Sequence, residues 1–448
     1  MDHLLLRLGT RRILIADVCS SADGHGVGYG ILLKRIDKVL MLARAAGASV
    51  FYSREATAIN TAVFRLSSEE VRVLPQSGWQ AGGLRAVWAV TAPFRLRSPW
   101  LWAKRLIARA LLGSFHDRLE RSPRVPRAVR QFVGRPRPLY ERLRRANGTY
   151  AERSAAAWKH TYMQHVYRPL RVKGRGVEAE PPRLWLPPDR EREAVAQASV
   201  LGIGPADRIV TVHVRETGYR SAAGLRQRDW DVVRNARIET YVEAFTALVA
   251  RGYVVVRLGD PTMAPVELAG VVDLATSPER TEWLEAWCVL RSEFLIGCDS
   301  GPSWLAVLAG VPVLTVNAIH FRDIARPTDR FICKLARDRS TGETLSLLEM
   351  LTERYLRTGL DMEKYEHLDN TPKDIAQAML DMIDVMGGEE RLSLPQRRFN
   401  RALVALGREL PRDWSGLEGI GCIRRPRGAL SRRFAKKYLE RRQVGPAP

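Results

Sequence analysis

Between residues 208 and 317 the chain repeats one pattern: a short apolar, β-branched run, a turn, then a stretch with helical spacing. The runs lie at 208–214, 253–258, 270–274, 293–296 and 311–316, and helical periodicities fill 238–251, 279–292 and 302–309. Strands this short and this apolar are buried on both faces, as in a parallel sheet covered by helices. Parallel neighbours need a crossover, and the intervening helices supply it. The pattern predicts an α/β, doubly wound sheet whose ligands meet the carboxyl ends of its strands.

A second, looser example opens the chain. Residues 13–18 read as a buried strand, and a small-residue loop follows with Asp23-Gly24-His25-Gly26, Gly28 and Gly30. A helix over 31–46 closes at Gly47, and 48–52 is the next strand, which is the start of a βαβ unit. Residues 71–74 and 86–90 are expected as further strands. The glycines do not fit G-x-G-x-x-G, so a dinucleotide cofactor is not expected, and no cofactor is assigned.

The predicted organisation is an N-terminal Rossmann-like domain over 1–180, a Pro- and Gly-rich linker near 174–192, and a Rossmann-like domain over 200–387. A helical tail over 388–448 shows no core of its own. Charge divides the chain differently. Net charge is +22, and residues 94–145 hold 15 Lys/Arg against 3 Asp/Glu, while 397–448 hold 14 against 4. These two segments carry the whole excess. Within 94–145, read as a basic helical insertion, Trp100, Trp102, Leu106, Ile107 and Ala110 share a stripe flanked by Lys104, Arg105 and Arg109. Such a helix suits an anionic membrane surface, or is an Arg-rich solvated face. Nucleic-acid binding, which spreads basic charge over the main fold, is not expected.

Five scattered cysteines without a C-x-x-C pair exclude a zinc ribbon and point to a reducing cytoplasm. Leu4-Leu5-Leu6 is interrupted at once by Arg7, Arg11 and Arg12, which is no secretory signal, and no apolar run is long enough to span a bilayer.

Candidate site residues gather at strand ends. Phe294-Leu-Ile-Gly297 runs into Cys298-Asp299-Ser300-Gly301-Pro302, a turn into a helix whose N-terminus suits a diphosphate. Read plainly, this is a βα loop in which Asp299 or Ser300 caps the helix. Thr211-Val-His213-Val-Arg215-Glu216 delivers a guanidinium to the same edge, where Arg215 is the leading phosphate ligand. His213 shares its strand face and is either a contact or a core histidine. Glu216 holds Arg215 or accepts from a ribose hydroxyl. Arg234-Asn235 precedes a helix, with Asn235 also readable as its cap, and Arg257-Leu-Gly259-Asp260-Pro261 ends the next strand, also readable as a turn.

These motifs bring a resemblance with them. His213-Val-Arg-Glu-Thr-Gly-Tyr219, Arg234-Asn-Ala-Arg-Ile238 with Tyr241, and Gly252-Tyr-Val-Val-Val-Arg-Leu-Gly-Asp260 resemble a family of bacterial glycosyltransferases of surface polysaccharide synthesis. So do Ile296-Gly-Cys-Asp-Ser-Gly-Pro302, Gly310-Val-Pro-Val-Leu-Thr-Val-Asn317, Lys334-Leu-Ala-Arg-Asp-Arg-Ser-Thr-Gly342 and Asp369-Asn-Thr-Pro-Lys-Asp-Ile375. The resemblance covers residues 200–385 well and the N-terminal part loosely. More distantly, the His-x-Arg strand is similar to that of fucosyltransferases and the Asp-Ser-Gly-Pro turn to that of heptosyltransferases. Glu216 stands where a second Arg is common in the former, which argues against GDP-fucose.

The resemblance implies a GT-B architecture, two Rossmann-like domains facing across a cleft. It also implies metal-independent, inverting transfer of a sugar from a nucleotide-activated donor to a hydroxyl of a glycan or lipid-linked acceptor. Donor-binding residues would be His213, Arg215, Glu216, Arg234, Asn235, Arg257, Gly259, Asp260, Asp299, Ser300, Gly301, Pro302 and Asn317. The N-terminal loop would line the acceptor side, with His25 or Asp23 as base, or both would only shape the turn. Asp229-Trp-Asp231 matches D-x-D but ends no apolar strand, so no metal is assigned. The enzyme would be cytoplasmic, held peripherally at the inner face of the membrane. A nucleotide-sugar epimerase of the same fold is the alternative, and a nucleic-acid-binding protein, favoured only by the basic charge, is the alternative from another class.

Overall fold

A computed structural model of the chain describes residues 2–8, 10–19, 62–69, 71–90, 170–172, 175–177, 184–218, 232–319, 321, 327–388, 391–410, 428–440 and 443–444. Within 32–53 it describes 32–33, 35–36, 39–40, 43–44 and 47–53. The loop with Asp23 and His25, the basic segment 94–145, and Asp229-Trp-Asp231 lie outside these residues.

The chain begins with β1 (Asp2–Leu8), β2 (Arg11–Asp17) and β3 (Ser49–Tyr52), a three-stranded sheet. β2 and β3 pair in parallel, as the βαβ pattern requires, and the described residues between 32 and 44 are helical. β1 pairs antiparallel to β2 from Leu8↔Arg11 outward, a hairpin that the early arginines concealed. Residues 86–90, expected as a strand, belong instead to α1 (Trp79–Val90). A short apolar window fits either period, and only its continuation back to Trp79 identifies a helix. β4 (Leu170–Val172) and β5 (Arg175–Val177) form a small hairpin, and α2 (Pro188–Val200) starts at a proline, where the lost N–H costs nothing.

The second part is a seven-stranded parallel sheet. Its strands and helices run β6 (Arg208–His213), α3 (Val242–Val249), β7 (Tyr253–Leu258), β8 (Val271–Asp273), α4 (Glu282–Arg291), β9 (Phe294–Gly297), α5 (Ser303–Ala309), β10 (Val313–Ala318) and β11 (Arg330–Cys333). There follow β12 (Leu335–Asp338), β13 (Glu343–Thr344), α6 (Leu347–Met350), α7 (Glu353–Thr358), β14 (Tyr365–Leu368), α8 (Pro372–Met386) and α9 (Leu394–Glu409). The last elements are β15 (Ala429–Leu430), α10 (Arg432–Tyr438) and β16 (Gln443–Val444).

Across the large sheet the order is β15-β11-β10-β9-β6-β7-β8. Read from β6, this is the 3-2-1-4-5-6 order of the doubly wound dinucleotide-binding fold, extended by β15. The switch point, where the order reverses, lies between β6 and β9. The run at 311–316 is the last that the sequence displays, and β11 and β15 continue the sheet beyond it. A separate antiparallel sheet, β14-β12-β13-β16, sits beside it.

Two clusters of buried side chains cover the sheet. One joins Val212, Tyr241, Phe245, Val316 and Phe331 to Met379, Phe399, Leu403, Phe434 and Tyr438. The tail, expected to have no core of its own, packs into this one. The other cluster joins Ile209, Leu295, Trp287, Trp304 and Val313 to Leu14 and Val50 of the N-terminal sheet and to Leu32 and Phe64 beside it. The two sheets thus share one apolar layer. Residues 184–186 stitch it: Leu184 N–H donates to Leu308 O at 3.3 Å, and Trp185 N–H donates to Ser67 O at 2.9 Å. Glu282 Oε2 accepts from Ala62 N–H at 3.1 Å across the same boundary.

Candidate functional site

The registers His213↔Gly297 and His213↔Leu258 bring the ends of β6, β7 and β9 level. Three segments therefore emerge on one sheet edge at the switch point: 214–216, 259–260 and 298–301. Ligands of open α/β sheets lie in this crevice.

Arg215, half-buried, is fastened at its backbone and at one side-chain nitrogen. Its N–H donates to Cys298 Sγ at 3.1 Å, and its Nε donates to Asn235 Oδ1 at 3.2 Å. Arg234 approaches from the adjacent loop, and its Nε donates to Asp299 O at 2.9 Å, with Nη2 directed to the same carbonyl. The Arg215 guanidinium is thereby tied to the loop at Asn235, and the Arg234 guanidinium to the β9 turn.

The turn is held from inside. Asp299 Oδ2 accepts from Ile319 N–H at 2.8 Å, and Ser300 N–H donates to Cys298 O at 2.6 Å. Ser300 Oγ is buried without a hydrogen-bond partner among the described residues. A small pocket lies beneath the turn, lined by Cys298, Asp299, Ser300, Ser303, Trp304 and Thr315. Pro302 adopts helical angles, and α5 has seven residues. The N–H groups of Trp304 and Leu305 already donate to Gly301 O and Pro302 O, so charge for an anion here comes from arginines rather than from this helix end.

His213 is buried at the end of β6. Burial, then the nearby Arg215, pushes its pKa down to about 4, so the ring is neutral at physiological pH. Nδ1 has no hydrogen-bond partner among the described residues. A buried polar nitrogen in that state costs about 1–3 kcal/mol until a partner meets it. Burial likewise pushes the Cys298 thiol up, which leaves it an uncharged acceptor for Arg215 N–H.

Other candidates are occupied. Arg257 is fully buried, with Nη2 donating to Glu216 Oε1 at 2.8 Å and Nη1 to Asp273 Oδ2 at 3.0 Å and Ala264 O at 2.6 Å. Glu216, expected beside Arg215 or a ribose, locks β6 to β7 instead, and its Oε2 accepts from Ala264 N–H at 3.0 Å. A Cβ on Gly259 would lie 2.3 Å from Met263 Sδ and 2.9 Å from Ala275 Cβ, so this glycine permits close packing. Asp260 Oδ1 accepts from Thr262 N–H at 3.0 Å, a turn cap.

Asn317 is fully buried in the left-handed region at φ 53°, which asparagine tolerates better than most residues. It exchanges two 2.6 Å bonds with Asn370 and donates from Nδ2 to Tyr241 OH at 3.2 Å. All its side-chain bonds point into the protein. Lys334 and Asp369, which carried no site role in the sequence, meet beneath the loop at 234–237 with 2.7 Å between Nζ and Oδ1. Only the resemblance marked them. Among the described residues no group of three or more His, Cys, Asp or Glu side chains has the arrangement to hold a metal, and no helix is long and apolar enough to cross a membrane.

No protein-family model matches the chain, and no curated protein matches it. Among solved structures it is similar to a glycosyl transferase family 9 protein from Veillonella parvula DSM 2008, at 14% sequence identity and a TM-score of 0.23. The similarity covers 32% of this chain and 38% of that one, well under half the length of either.

Proposed function

We propose that the chain is a glycosyltransferase that takes a nucleotide-activated sugar and passes it to a hydroxyl of a growing glycan or lipid-linked acceptor in surface polysaccharide synthesis. The observation that carries this reading is the convergence of Arg215 and Arg234 on the switch point, beside a buried, unpartnered Ser300 hydroxyl. Guanidinium N–H groups bond phosphate oxygens, and charge-assisted bonds of this kind strengthen as the leaving diphosphate gains charge. The ordered motifs from His213 to Ile375 supply the family resemblance that makes the diphosphate part of a sugar donor.

In this mechanism the bond from the anomeric carbon to the diphosphate oxygen breaks as the acceptor oxygen bonds the same carbon from the opposite face. The acceptor proton passes to a base, for which His25 or Asp23 is proposed. Arg215 and Arg234 take the diphosphate charge, and neutral His213 offers a hydrogen bond without adding charge. The donor side is the sheet 208–318, and the N-terminal sheet bears the acceptor side of a GT-B arrangement. No metal is needed for charge that two arginines already meet, so turnover should persist in EDTA.

A thermal-shift screen against ADP, GDP, UDP, CDP and dTDP tests the reading. A matching nucleotide at a hundredfold excess over its Kd adds about 2.7 kcal/mol to stability. Unchanged melting with all five would remove the nucleotide-diphosphate site.

A further inference from the structure

Besides the Cys298 contact, Arg215 is held from the loop by Asn235 and the peptide that follows it. The Asn235–Ala236 peptide donates its N–H to Arg215 O at 3.1 Å, while the side chain of Asn235 accepts from Arg215 Nε at 3.2 Å. The carbonyl of that same peptide accepts from Lys334 Nζ at 2.6 Å. A peptide unit is planar, so fixing its carbonyl fixes its N–H as well.

Lys334 stands at the end of β11, where its N–H donates to Ala318 O at 2.9 Å. Its side chain is only 4% exposed, and it pairs with Asp369 Oδ1 at 2.7 Å. Asp369 Oδ2 lies 3.8 Å from Arg237 Nε, so the pair reaches the loop at two points. Burying an ammonium–carboxylate pair sacrifices hydration, and apolar residues of similar size often stabilise as well or better. What such a pair offers beyond them is direction. Here the direction is along one line: Lys334, the 235–236 peptide, then the backbone and Nε of Arg215.

We propose that Lys334 is a positioning residue that aims Arg215 into the crevice by fixing the Asn235–Ala236 peptide. Its consequence for ligand affinity rests on the reading of Arg215 as a diphosphate ligand; the structural link does not.

The full chain labelled with ¹⁵N-arginine separates the two. The Arg215 Nε–H resonance is identified by its loss in Arg215→Lys. In Lys334→Met it should shift and exchange with water about tenfold faster, because a hydrogen-bonded donor has lost its fixed acceptor. Inorganic pyrophosphate, followed by calorimetry, should bind Lys334→Met about tenfold more weakly, and the same change should add almost nothing in an Arg215→Lys background. Should Lys334→Met fail to fold because Asp369, partly buried, is left with only Arg237 nearby, the double variant Lys334→Met with Asp369→Leu removes both charges of the pair and is read in the same way. An unchanged Nε–H resonance in a folded variant, or losses that add fully in the combined variant, would overturn the proposal. A wild-type protein that ignores pyrophosphate, with the resonance still moving in Lys334→Met, would sink the diphosphate reading and leave Lys334 as the residue that sets Arg215.

Discussion

A guanidinium recognises phosphate by presenting two parallel N–H groups, so the way Arg215 is tethered matters as much as its charge. Asn235 takes Nε through a neutral amide oxygen and leaves the charge in place. Arg215→Lys keeps the charge but offers no fork. We expect a folded protein whose affinity for the matching nucleoside diphosphate falls about tenfold or more, the size of one lost charge-assisted bond. Wild-type affinity in that variant would take Arg215 out of the site. His213 makes a prediction of another kind. Its folded pKa, about 4, lies below the 6.5 of an unfolded histidine. Between those values the unfolded chain binds the extra proton, so stability is full above pH 6.5 and falls as pH drops towards 4. Moving one pKa over that range corresponds to about 3 kcal/mol. Burial also pushes His367 down to about 4, so two histidines act in the same window. Urea midpoints measured from pH 7 to 4 should fall less steeply in His213→Gln than in wild type. Equal slopes would show that His213 does not carry the effect.

Elements were legible where their period was long enough to be counted. β6, β7 and β9 lie within a residue of their expected bounds, because each is a short apolar run closed by polar or glycine residues and followed by helical spacing. β15 is two residues long, and two residues have no period. β11 has four, bounded by Asp329 and Lys334, and its charged flanks disguise it. The site divides in the same way. Arg215 and Asp299 stand at strand ends, which a sequence displays, whereas Lys334 meets Asn235 across 99 residues, which it does not. The tail shows what tertiary bonds add to a weak local signal. Asp381, on α8, accepts from Ser431 Oγ and from Arg433 N–H at 3.2 Å, and so caps α10 from another helix. Asp374 takes Lys437 at 3.0 Å and Tyr438 OH at 2.8 Å one turn away. Asp381→Ala leaves a buried hydroxyl unmet and an uncapped helix end, which should cost about 2–3 kcal/mol. An unaltered urea midpoint would mean that apolar packing alone holds α10.

At the scale of the whole molecule the +22 charge needs a destination. Of the tail's basic residues, Lys437 pairs with Asp374 on α8, whereas the Arg398–Glu440 pair lies within the tail and is already contained in its 14-against-4 count. The larger surplus is that of 94–145, and its Trp100, Trp102 and flanking basic residues suit an anionic bilayer. Each basic residue near such a surface contributes about 1 kcal/mol, screened over a Debye length of about 8–10 Å. We expect co-sedimentation with phosphatidylglycerol liposomes that fades with salt and is lost when the Lys and Arg of 104–130 are replaced. Equal recovery on neutral liposomes would reduce the segment to a solvated face.

The parallel edge supplied by β15 has a consequence during synthesis. β11 leaves the ribosome about 95 residues before the strand that pairs with it, a delay of roughly 5–20 s at ordinary elongation rates. Throughout that interval the nascent sheet presents an unpaired row of N–H and C=O groups, together with the apolar surface that α9 and α10 later cover. Chaperone demand should therefore peak while residues 334–430 are being translated and end as the last strand docks.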